Sequence, residues 1–136
     1  MTAIASKTER IVARKEGGIG WLPALMDRIE HCMRYKDFTG NWINETTHPN
    51  DVLLNSFWFC ALDDEAGFQM MNRLNPDRVM VEMDYPHADS TWPDTQHYLQ
   101  KHIGHLPDDI IQKVTWQNAA GLYGLKLPAS VLQGSW

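Results

Sequence analysis

Residues 79–93 read VMVEMDYPHADSTWP, and this stretch decides the fold. Val79, Met80, Val81 and Met83 form a short, mostly apolar run, the pattern of a parallel strand covered on both faces. The run stops at Asp84, and Tyr85-Pro86 then makes a rigid corner before a helix start near Pro93. At the carboxyl ends of parallel strands in an α/β fold, side chains point into the site. A carboxylate at that place binds a metal or takes a proton. The plainer reading of Asp84 is an N-cap or loop-tying residue, the common use of Asp in turns.

Working outward, the chain alternates strands with helices. Arg10 to Glu16 is a poor first strand, because Arg14 and Lys15 interrupt its apolar run. Gly17, Gly18 and Gly20 form a corner that lacks the spacing of a dinucleotide fingerprint. From Trp21 to about Lys36 the spacing of Leu22, Leu25, Met26, Ile29 and Met33 predicts a helix with one buried face. Pro49-Asn50-Asp51 opens a short helix, and Ser56 to Leu62 is the second strand. Asp63-Asp64-Glu65 then starts a helix expected to reach Leu74. After the third strand come a helix of about ten residues ending near Gly104, another from Pro107, a break at Asn118, and a last helical piece stopped by Gly124. The order strand, helix, strand, helix, strand, helix predicts parallel strands with right-handed crossovers.

Four segments carry a resemblance. They are EGGIGWLP at 16–23, FWFCALDDEAG at 57–67, DYPHADSTWP at 84–93 and NAAGLYGL at 118–125. Together, in this order, they resemble the C-terminal part of amidohydrolase-related proteins over roughly residues 10 to 125. The resemblance implies an α/β fold, a partial (β/α)8 TIM barrel comprising about the last three strand–helix units and the closing helices. A whole barrel needs ~250 residues and this chain has 136. Residues 1–136 are expected to form one domain, with 126–136 as a loose tail. The resemblance further implies a hydrolase or non-oxidative decarboxylase acting on a small carboxylate or cyclic substrate through a divalent metal, Zn or Mn.

By the same resemblance Asp84 is the metal ligand and catalytic carboxylate. The family's His-x-His pair occurs nowhere in the sequence. His31, His48, His97, His102 and His105 fall on helices or loops and read as exposed or half-buried residues. His87 is three residues past Asp84 and is expected either to reach the same pocket, orienting substrate, or to pack on Trp92 and tie the loop. Trp92 lines the pocket or covers the core. Glu16 ends the first strand and either binds substrate or bonds to the glycine corner. Asp89 and Ser90 are expected to satisfy backbone N–H groups at a helix start. Asp63 and Asp64 are expected to cap a helix.

Composition narrows the partners. A net charge of −5 leaves no basic footprint for nucleic acid, and no apolar run approaches the ~20 residues of a membrane span. Two cysteines, Cys32 and Cys60, are too few for a disulfide framework, and no signal-peptide core opens the chain. A cytoplasmic location is expected. Two functional classes stand: part of a metal-dependent enzyme, inactive until its missing histidines are supplied, or a non-catalytic truncated barrel acting as an interaction domain or gene fragment. Either way the open strand edges predict association with a second copy or with the missing barrel half.

Overall fold

A computed structural model of the chain describes residues 13–14, 17–35 and 46–128. Three short strands, β1 (Ala13–Arg14), β2 (Trp58–Ala61) and β3 (Val79–Val81), form a parallel sheet in the order β1-β2-β3. Register places Ala13 beside Trp58, and Phe59, Cys60 and Ala61 beside Val79, Met80 and Val81. The helices are α1 (Leu22–Tyr35), α2 (Pro49–Ser56), α3 (Glu65–Gln69), α4 (Thr95–Ile103), α5 (Asp108–Gln112) and α6 (Asn118–Tyr123).

Side chains alternate across a strand, and that alternation sorts this sheet into two faces. Phe59, Ala61 and Val79 join one core cluster with Ile19, Leu22, Phe68, Leu99, Ile103, Ile111 and Val114. One face of the sheet therefore carries helices α1, α3, α4 and α5. Cys60 and Met80, also buried, belong to the opposite face.

Several expectations change. Helix α1 buries only its first turn, Leu22 and Pro23, while Leu25 and Met33 are exposed. The helical spacing was present, but beyond the first turn the core side is only partly covered: Met26 packs against the core half-buried, and Asn50 of α2 bonds the Met26 carbonyl and Glu30. Helix α3 stops at Gln69 and a separate 3-10 turn, Met71–Arg73, carries the chain to Leu74. The second and third strands are shorter than their apolar runs.

Asn118 does not break the last helical path. That path runs from Asp108 to Tyr123 through a π-helical turn at Lys113–Gln117. Within the turn, the Thr115 hydroxyl donates to the Ile111 carbonyl at 2.6 Å, a bond that competes with the helical ladder. The buried Asn118 amide then donates to the carbonyls of Pro76 and Val79, both at 2.7 Å. It ties the helix to the start of β3. Gly124, at φ +64°, ends the path as expected.

Asp64 holds the strand-end loops together. Its carboxylate accepts backbone N–H bonds from Ile19, from Gly20 (2.9 Å) and from Gly67 (2.9 Å). The first two belong to the corner after β1; the third belongs to the first turn of α3. A Cβ built on Gly20 would lie 2.8 Å from an Asp64 oxygen, and one on Gly67 would lie 2.3 Å from Ile19. The glycines permit the approach that these bonds require. Asp64→Ala leaves all three donors without their acceptor and should cost about 2–3 kcal/mol. Urea unfolding should show a lower midpoint with an unchanged slope.

Beside this hub, the Tyr98 hydroxyl is sealed from solvent with no hydrogen-bond partner among the described residues. Burial, with the negative charges of Asp63 and Asp64 nearby, raises the phenol well above its ordinary value. A phenol raised in the folded state contributes stability that is complete below the unfolded value, ~10, and is lost as pH climbs toward the folded one. Stability measured by denaturant titration should therefore fall above about pH 10, and Tyr98→Phe should remove that part of the fall.

Candidate functional site

Asp84 lies three residues beyond the end of β3, at the carboxyl end of the sheet. The Val81 and Met83 side chains share a cavity with Thr95, Leu99 and Thr115, on the helix side of the sheet. The Asp84 backbone is left-handed, φ +55°, a conformation that Asp tolerates better than most residues. Its side chain is only 5% exposed, so the charge is held away from bulk water.

The loop after Asp84 is densely bonded. The His87 amide donates to the Asp84 carbonyl at 2.9 Å, and the Ser90 amide to the His87 carbonyl at 3.2 Å. The Ser90 hydroxyl donates to the Met83 carbonyl at 2.7 Å and accepts from the Trp92 amide at 3.1 Å. The Thr91 amide also reaches the Met83 carbonyl, at 3.3 Å. The Tyr85-Pro86 and Trp92-Pro93 peptide bonds are cis.

The imidazole of His87 meets the buried acid directly, with Nδ1 2.6 Å from Asp84 Oδ2. An ionised carboxylate only accepts, so Nδ1 carries the proton and Nε2 faces outward. The His87 side chain is 55% exposed, which leaves its outer edge open to solvent. Asp89 joins them: one ligand atom each from Asp84, His87 and Asp89 lie within 4.8 Å of one another. Two hard oxygen donors and one imidazole suit Zn²⁺ or Mn²⁺, so the residues present fit a divalent ion.

The sequence-predicted residues separate clearly. Asp84 and His87 come together. Trp92 stands at the lip of the same loop, 54% exposed, edge-on to Tyr85 with ring centroids 4.9 Å apart; it does not cover the core, and its ring partner is Tyr85. Glu16 lies outside the described residues. Asp89 was expected to cap a helix, but no helix begins there. Helix α4 starts at Thr95 after Asp94, whose side chain makes no capping bond. Asp64 caps α3 as expected, whereas Asp63 is an exposed residue at φ +43°.

One histidine departs from the exposed or half-buried helix and loop reading. His102 is 6% exposed on the inner side of α4, its ring tilted against Tyr98 with centroids 4.4 Å apart and Nδ1 3.9 Å from a Glu65 oxygen. Its spacing from Leu99 and Ile103 was the available signal. His48 caps α2, its Nδ1 accepting from the Asn50 amide at 3.1 Å.

Among the described residues, no helix is long and apolar enough to cross a membrane. No curated protein matches the chain at a significant level. The model of one protein family, described as Amidohydrolase, matches residues 10–125. That span takes in all three strands, the Asp64 hub and the Asp84 loop. The family's chemistry is hydrolytic in type and generally metal-dependent, in keeping with the donor set around Asp84. By the extent of this match, the chain belongs to the amidohydrolase family.

Proposed function

We propose that this chain is the C-terminal portion of a metal-dependent (β/α)8 barrel that hydrolyses or decarboxylates a small carboxylate or cyclic substrate. Asp84 is the ligand and catalytic carboxylate that it contributes. The observation that carries the reading is the buried Asp84 carboxylate at the carboxyl end of the last strand, hydrogen-bonded to His87. The sheet supports it. A sequential order β1-β2-β3 is that of neighbouring strands in a barrel wall. A doubly wound sheet reverses its strand order and covers both faces with helices.

Each residue has a role that follows from its position. Asp84 offers an anionic oxygen that can ligate a metal or accept a proton. His87 donates its Nδ1 proton to that carboxylate and fixes its rotamer, as the supporting partners of metal ligands do. Its exposed Nε2 edge is available to a polar group of the substrate. Trp92, steadied by Tyr85, forms an apolar wall at the lip. A divalent ion bound here would polarise a carbonyl and lower the pKa of water toward ~7. The remaining barrel wall comes from further polypeptide or from a second copy of the chain. Such a protein would work in the cytoplasm.

Asp84→Asn removes the negative charge while keeping shape. In the assembled protein, kcat/KM for hydrolysis or CO₂ release should fall by about 100-fold or more, the scale of losing an electrostatic group at a reacting centre. Circular dichroism should be unchanged. Turnover equal to the unsubstituted protein overturns the assignment.

A further inference from the structure

A cavity opens where β3 ends, between the strand, helix α4 and the π-helical turn. Its volume is about 300 Å³, enough for a small organic molecule. Val81 and Met83 from the strand end, Leu99 from α4 and the half-buried Trp116 indole form its apolar walls. Thr95, Gln96 and Thr115 supply its polar atoms. We infer that this cavity binds an uncharged, ring-sized organic molecule carrying one hydroxyl or carbonyl group. The site is separate from the reaction centre proposed at Asp84 and does not depend on that reading.

Charge, size and unspent hydrogen bonds select that ligand. No Asp, Glu, Lys, Arg or His lines the cavity among the described residues. An ion entering it would lose hydration without gaining a counter-charge. An apolar cavity of about 150 Å³ accepts benzene, so one of about 300 Å³, partly open to solvent, suits a ring with a substituent. The threonines are already engaged: the Thr95 hydroxyl pairs with that of Thr91 at 3.1 Å, and Thr115 donates to the Ile111 carbonyl at 2.6 Å. Neither the Gln96 amide nor the Trp116 indole N–H bonds any described residue. A ligand hydroxyl or carbonyl can take up these two groups, while its ring packs on the apolar walls and the indole. The floor is fixed and the lip adaptable: Leu99 is 4% exposed, and the flexible thioether of Met83 is 39% exposed. Thr115 and Trp116 belong to the π-helical turn Lys113–Gln117. That backbone form is rare and recurs at functional sites.

The test is titration of the ¹⁵N-labelled chain with p-cresol, followed through the amide and indole N–H resonances. Saturable shifts are expected at Val81, Met83, Leu99, Thr115 and Trp116, with a Kd on the order of 1 mM. Benzoate and benzylamine, charged rings of similar size, should bind about tenfold more weakly. Gln96→Trp places an indole across the exposed lip and should abolish the shifts with circular dichroism unchanged. Trp116→Leu should weaken binding about tenfold. Asp84→Asn should bind p-cresol as the unsubstituted chain does; loss of binding there assigns the probe to the strand-end acid and overturns the separate site. The absence of saturable shifts overturns it too, as does unaltered binding in Gln96→Trp. Benzoate binding as tightly as p-cresol overturns the uncharged ligand class. Cavity resonances that move with protein concentration and not with p-cresol make a second copy of the chain the occupant, and the inference fails.

Discussion

The sheet's carboxyl end depends on one half-buried set of bonds, the Asp64 carboxylate with three backbone N–H groups. A parallel sheet leaves each strand-end loop separate, joined to its neighbour only through the strand below. Here the strands are two to four residues long, so the ladder alone constrains those loops weakly. Asp64 replaces ladder with charge-assisted bonds, joining the corner at Ile19 and Gly20 to the first turn of α3. Such bonds are roughly twice as strong as neutral ones. They also spend a helix cap and an interloop tie on the same side chain. The glycines at 18, 20 and 67 follow from this: a Cβ at any of them would fall within 3 Å of a heavy atom, in each case Asp64 or Ile19.

A second tie acts at the other end of the sheet. Asn118 turns inward from the π-distorted helix and bonds Pro76 and Val79, where β3 begins. Between the two ties, the Phe59, Ala61 and Val79 side chains seat the helices on one face. The Asp84 loop thus rises from a strand fixed below by Asn118 and flanked by a turn fixed by Asp64. The loop that carries Asp84 keeps its shape on such a base, although β3 itself spans three residues.

The second and third strands and the strand-end acid were legible in the sequence because they rest on local signals. Apolar runs of four to seven residues, bounded by Asp, Pro and Gly, have few other structural readings. Cys60 as a small buried residue and Gly124 as a helix stop were legible for the same reason. What misled was the assumption that helical spacing implies burial along the whole helix: Leu25 and Met33 keep the period and remain exposed. Asn118 misled in the opposite direction. Its ordinary preference for helix ends says nothing about two carbonyls about forty positions away in sequence. His102 and Asp89 depend on tertiary placement too, one drawn into the α3–α4 contact and the other turned toward Asp84.

Asp63 and Asp84 show why strand ends are where such placement matters. Both lie just past a strand, and both adopt positive φ, 43° and 55°. A left-handed residue reverses the chain sharply, and a short polar side chain lowers the cost of doing so. At the end of β2 the reversal leaves Asp63 exposed and hands the amide-binding role to Asp64, which is half-buried. At the end of β3 the reversed residue is itself the buried one, and its carboxylate meets an imidazole three residues on. The same backbone device therefore serves opposite ends. One acid satisfies backbone amides; the other is held by the imidazole of a histidine three residues on.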